Sequence, residues 1–87
     1  MFRLWGKIWQ DNHLLRDIVI EDDTDDTRTH KVFHAITDIC REFDLAEPIW
    51  LTANINEFKR LSKTRFSRDS FVESIEFDYL EIQVIEE

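Results

Sequence analysis

Phe2-Arg3-Leu4-Trp5-Gly6-Lys7-Ile8-Trp9 (residues 2–9) alternates without a break. Successive side chains of an extended chain point to opposite faces. Phe2, Leu4, Gly6 and Ile8 therefore share one side, and Arg3, Trp5, Lys7 and Trp9 share the other. The first side can meet a packed layer. The second combines two cations with two indoles, an odd composition for a face left to water. Gln10-Asp11-Asn12-His13 follows as a reversal, since Asp and Asn tolerate turn geometry better than most residues. Leu14 to Glu21, with Ile18-Val19-Ile20 in its middle, reads as a second strand. Together these stretches predict an N-terminal β-hairpin.

Downstream, Glu21-Asp22-Asp23-Thr24-Asp25-Asp26 ends the strand and opens a helix. Thr24 or Asp25 can cap free backbone N–H groups there, and carboxylates suit the positive end of the helix dipole. The helix is expected from about Asp26 to Phe43, with Val32, Phe33, Ile36, Ile39, Cys40 and Phe43 in one stripe. Pro48-Ile49-Trp50-Leu51 is a short apolar segment, either a strand or a packed loop. Asn54 followed by Glu57 resembles a capping signal, and predicts a short helix over roughly Ile55 to Lys63 with Ile55, Phe58 and Leu61 inward. Lys59 to Arg68 reads as a basic connection. Ser74 to Glu86 alternates first as Ile75, Phe77, Tyr79 and then as Leu80, Ile82, Val84. A helix is the competing reading, but its apolar residues would surround the axis, and a long final strand with a β-bulge at Tyr79-Leu80 accounts for that change of phase. The expected fold is α+β: a small antiparallel sheet made of the hairpin and the C-terminal strand, with one long and one short helix on one face.

The 87 residues suit one domain, 1–87, with a thin core. Aromatics make up 13% of the chain and there is one proline, which argues against disorder. Nineteen acidic and eleven basic residues give a formal charge of −8. Such a charge disfavours direct binding to nucleic acid or to an anionic membrane. A single cysteine cannot close an intrachain disulfide. Residues 1–7 lack the apolar run of a signal peptide, and no stretch approaches the ~18 apolar residues of a membrane span. A cytoplasmic protein is the expectation.

Trp5 and Trp9 carry the clearest functional signal, with Tyr79 as a further candidate for the same surface. Two indoles on one side of a strand form a patch that monomers rarely leave in water, and tryptophan is enriched among interface hot spots. The bland alternative is that Pro48–Leu51 or the C-terminal strand covers them within the same chain. Asp22, Asp23, Asp25 and Asp26 form a candidate acidic patch that could imitate nucleic-acid phosphates or attract a cation. The run lacks the glycine and distal glutamate of an EF-hand loop, and a solvated turn explains it more simply. His30, His34 and Asp38 recur every fourth residue, a spacing that can hold a metal. Arg41 falls between the last two, and an Asp38–Arg41 pair is more economical. Cys40 lies in the apolar stripe about 120° around the helix from His34, as a buried thiol would. Glu76 and Asp78 alternate with apolar neighbours like a solvent-facing strand edge. Lys59, Arg60, Lys63, Arg65 and Arg68 surround Phe66, a pattern seen in single-strand binders, yet neutralising the acidic C-terminal strand is the simpler role. No catalytic, cofactor-binding or metal-ligating set is assembled from these residues.

Arg3-Leu4-Trp5-Gly6-Lys7-Ile8, Thr27-Arg28-Thr29-His30-Lys31-Val32-Phe33 and Phe77-Asp78-Tyr79-Leu80-Glu81-Ile82 together resemble a group of short, acidic proteins of anaerobic gut-type bacteria. That group carries no known activity, and the resemblance implies only a bacterial cytosolic origin and a freestanding domain. The residues themselves point to a noncatalytic protein-interaction module, a homodimer joined through its sheet face. An acidic nucleic-acid mimic that inhibits a nucleic-acid-binding protein is the alternative, and a small metal-binding protein stands third.

Overall fold

The computed structural model describes all residues, Met1–Glu87. Strands β1 (Phe2–Gln10) and β2 (His13–Asp22) form the hairpin, joined by the two-residue turn Asp11-Asn12. Both turn residues have left-handed backbone, with φ of 50° and 64°. That is the turn whose twist matches paired strands. Helix α1 (Arg28–Glu42) follows, then helix α2 (Thr52–Leu61), strand β3 (Lys63–Phe66), a 3-10 turn (Arg68–Ser70) and strand β4 (Tyr79–Glu86). The four strands form one sheet in the order β2-β1-β4-β3, every neighbouring pair antiparallel. The α+β class, the hairpin and the C-terminal strand are as the sequence leads one to expect.

One side of the sheet carries Phe2, Leu4 and Ile8 from β1, Thr64 and Phe66 from β3, and Leu80 and Ile82 from β4, all buried. Val32, Ala35, Ile36, Ile39, Cys40 and Phe43 of α1 and its C-terminal boundary close over them, with Phe58 of α2 alongside. Gly6 marks the closest approach of α1 to β1. A Cβ there would stand 2.8 Å from Ile39 Cδ1 and 2.9 Å from its Cγ2, inside normal contact. Trp50 is wedged edge-on against Phe33, Phe58 and Phe66, with ring centroids 5.0–6.2 Å apart. The Pro48–Leu51 segment is therefore a packed loop on the helix side and leaves Trp5 and Trp9 uncovered.

Several boundaries differ from expectation, for local reasons. Thr27, not Thr24 or Asp25, caps α1: its hydroxyl accepts from His30 N–H at 3.2 Å. Phe33 and Ile55 lean out of the core, and so does Leu61. Asn54 is not an N-cap but sits inside the first turn of α2, where its Oδ1 accepts from the Leu51 N–H at 3.1 Å. The basic connection contains a strand: β3 alternates Lys63 and Arg65 outward with Thr64 and Phe66 inward. Phe66 is wholly buried, so it is not placed to stack on a base. The final strand begins at Tyr79, and residues 74–78 are an irregular loop that sends Ile75 and Phe77 against the core. Glu76 and Asp78 thus lie off the sheet. The change of phase at Tyr79-Leu80 is the start of β4 rather than a bulge. Real bulges occur elsewhere, at Leu15 against β1 and at Ile85 against β1, where the registers slip by one residue.

Candidate functional site on the open sheet face

Residues directly opposite one another in an antiparallel pair share a face. The register therefore assembles the second side of the sheet row by row. Trp9 lies between Leu14 and Tyr79; Lys7 lies between Asp17 and Glu81, with Arg65 beyond; Trp5 lies between Val19 and Gln83, with Lys63 beyond; Arg3 lies between Glu21 and Glu86. Both helices occupy the opposite side, so no element of the chain lies over these rows.

The centre of this face is built as tightly as a core. Lys7 and Glu81 are each only 7% exposed, although they stand on the side without a covering layer. Lys7 Nζ donates to Glu81 Oε1 and to Gln83 Oε1, both at 3.1 Å, and rests 3.9 Å above the Trp5 ring. Trp9 Nε1 donates to the same Glu81 oxygen at 3.2 Å, and Arg65 Nε reaches Glu81 Oε2 at 3.4 Å. Arg65 also lies over the Tyr79 ring, whose centroid is 6.5 Å from that of Trp9. Trp5 Nε1 donates to Asp17 Oδ2 at 2.9 Å. The rings are what keep water off the ion pair. Burial by itself would raise the Glu81 pKa, but the hydrogen bonds from Lys7, Trp9 and Arg65, with the Lys7 charge, hold it below the ordinary glutamate range.

Trp5, Trp9 and Tyr79 are thus brought onto one face, each partly exposed, with the faces of the indoles unpartnered by any other ring except Tyr79. Lys7, Glu81, Gln83 and Arg65 are additional members that sequence reasoning missed. Alternation placed Lys7 beside the indoles, but only the pairing of β1 with β4 brings Glu81 to it. The two principal cavities of the protein lie elsewhere, one between the helices and one beside the 3-10 turn.

The acidic patch is less outward than its composition implies. Asp22 Oδ1 accepts from Thr24 N–H at 2.9 Å, and Asp26 Oδ1 accepts from Thr27 N–H at 2.8 Å. Hydrogen bonds from Thr24 depress the Asp22 pKa, and those from the His30 ring and the Thr27 backbone depress that of Asp26. Asp23 and Asp25 remain turned to solvent. His30 Nδ1 lies 2.9 Å from Asp26 Oδ1 and the His34 ring stacks beside it, while Asp38 pairs with Arg41 at 3.2 Å. No three of the His, Cys, Asp and Glu side chains converge as metal ligands would. Cys40 is buried, and desolvation, followed by the nearby Glu47 charge, pushes its thiol up to about 11. At neutral pH it is protonated and a poor nucleophile. Of the basic stretch only Arg65 pairs with the C-terminal strand, at Glu81, while Lys59, Arg60, Lys63 and Arg68 have no ion-pair partner; Glu86 and Glu87 are met by Arg3 and Arg28 instead. No helix is long and apolar enough to cross a membrane. No family model, curated protein or solved structure matches this chain, so any functional reading rests on its own chemistry.

Proposed function

We propose that this protein is a noncatalytic interaction module that pairs with a second copy of itself through the open face of its sheet. The observation that carries this reading is the cluster of Trp5, Trp9 and Tyr79 around a desolvated Lys7–Glu81 pair, on a face that no element covers. An aromatic centre with charged margins is the layout of a specific interface, where anchors supply affinity and the rim supplies orientation. The charge is also polarised across the strands. Lys63 and Arg65 stand at the β3 edge, and Asp17 and Glu21 at the β2 edge. A two-fold axis parallel to the strands lays the β3 edge of each copy over the β2 edge of the other. Like charges then avoid one another and opposite charges meet, as an isologous contact requires.

Sedimentation equilibrium or light scattering after gel filtration tests the proposal. The wild type forms a concentration-dependent dimer, and Trp5→Ser/Trp9→Ser runs as a folded monomer. Lys63→Glu and Glu21→Lys each weaken pairing about tenfold, and the two together recover much of it because the rim charges are exchanged. A wild type that stays monomeric at millimolar concentration overturns the reading, as does a dimer indifferent to both tryptophans. The acidic-mimic alternative has no comparable support, since two of its four aspartates are engaged by their own turn.

A further inference from the structure

On the opposite side of the molecule, α1 and α2 diverge around a cleft of about 340 Å³. Its walls are Phe33, Trp50, Ile55 and Phe58, and its rim carries Arg28 and Lys59. Phe33 and Ile55 are 47% and 39% exposed, more than a spare core position would be. We infer that this cleft binds a small, flat aromatic monocarboxylate. Three features converge on that class. The volume falls within the range of small-ligand sites, at its lower end, which suits a compact one- or two-ring acid. Trp50 meets Phe33 at 79° and Phe58 at 81°, and such edge-on walls offer ring faces and edges to another planar ring. No carboxylate lines the cleft, and Lys59, one of six cations outside any ion pair, stands at its rim with its charge open to a ligand.

Arg28 adds to this. It spends Nε on Glu87 and one terminal nitrogen on Ser62 while its guanidinium lies over the Phe58 ring, and the rest of its five N–H donors remain open to a carboxylate. Trp50 is also the one indole whose N–H has no partner within the chain, since those of Trp5 and Trp9 are taken by Asp17 and Glu81.

The test is an NMR titration of the full chain with 2-naphthoate. Its neutral amide isostere and decanoate serve as controls. Binding saturates with a Kd below about 1 mM, the Trp50 indole N–H signal moves, and those of Trp5 and Trp9 stay. Lys59→Gln, an exposed substitution, weakens 2-naphthoate at least fivefold, and Phe33→Ala weakens it by a similar factor with the fold intact. Absence of saturation overturns the inference. So does equal affinity for the amide or for Lys59→Gln. Decanoate binding as tightly as 2-naphthoate would refute the aromatic class. Because the cleft and the sheet face lie on opposite sides, this outcome is independent of the oligomeric state.

Discussion

Lys7 and Glu81 concentrate the chemistry of the open face in one pair. Each charge is tolerable there because the other is 3.1 Å away and because Gln83, Trp9 and Arg65 complete the hydrogen bonding. Replacing Lys7 with Met removes the main partner and leaves a largely desolvated carboxylate. A loss of about 2–3 kcal/mol at pH 7 is expected from urea unfolding, and Lys7→Met/Glu81→Gln recovers part of it. The two backgrounds respond oppositely to acid. In the wild type the folded Glu81 pKa lies below its unfolded value. Its stabilisation is therefore present above about pH 4.3 and lost as pH falls through the folded pKa. In Lys7→Met the two Lys7 contributions are gone and only Trp9 and Arg65 oppose burial, so burial is expected to prevail and acidification from neutral pH to recover stability instead. Urea midpoints measured from pH 7 to pH 4 distinguish the two signs. Asp22 and Asp26, also depressed, add to acid lability of the wild type in the same direction.

Elements meet at a few positions where one residue decides the fit. Gly6 lets α1 lie on β1, and Gly6→Val drives a branched side chain into Ile39. A loss of about 2–3 kcal/mol follows, read as a lower thermal midpoint. Asn54 ties three pieces together: its Nδ2 donates to Thr64 Oγ1 at 3.0 Å and to the Arg65 carbonyl at 2.8 Å, and its Oδ1 accepts from Leu51 N–H. Asn54→Leu strands those buried partners and costs roughly 2–4 kcal/mol, most visibly as early hydrogen exchange in β3. The chain has one glycine and so uses Asp11, Asn12, Asp44 and Ser62 at its left-handed positions. At the end of α1, Asp44 has φ 56°. Asp44→Gly removes that steric cost and is expected to gain about 0.5–1 kcal/mol. The hairpin and α1 were legible in advance because period-2 and period-3.6 patterns are local. β3 was not, since four residues with strong charges look like a loop until Thr64 and Phe66 are seen to face a core.

At the scale of the whole molecule, the α+β architecture makes one sheet face core and leaves the other uncovered. If that face pairs with a second copy through its polarised rim, self-association weakens with salt. Between about 0.1 M and about 1 M, the screening length falls from about 10 Å to about 3 Å. Sedimentation at the two ionic strengths is expected to show a Kd several-fold higher at the upper one, with the aromatic contribution persisting. A Kd that is unchanged or falls would mean that the rim charges do not orient the contact.

Alternation in residues 2–9 by itself determined that Trp5 and Trp9 share a side and that Phe2, Leu4 and Ile8 face a core, because side-chain direction in a strand depends only on position along the chain. The amphipathic helix and the buried cysteine followed from the same kind of local periodicity, whereas the helix cap, Thr27, did not. Only the tertiary structure decided that Lys7 meets Glu81, that Arg65 joins them and that Trp50 separates the helices. The first of those contacts joins opposite ends of the chain, and the others cross between separate elements. They depend on strand order and register, which hydrophobic burial sets globally and which no short window of sequence contains.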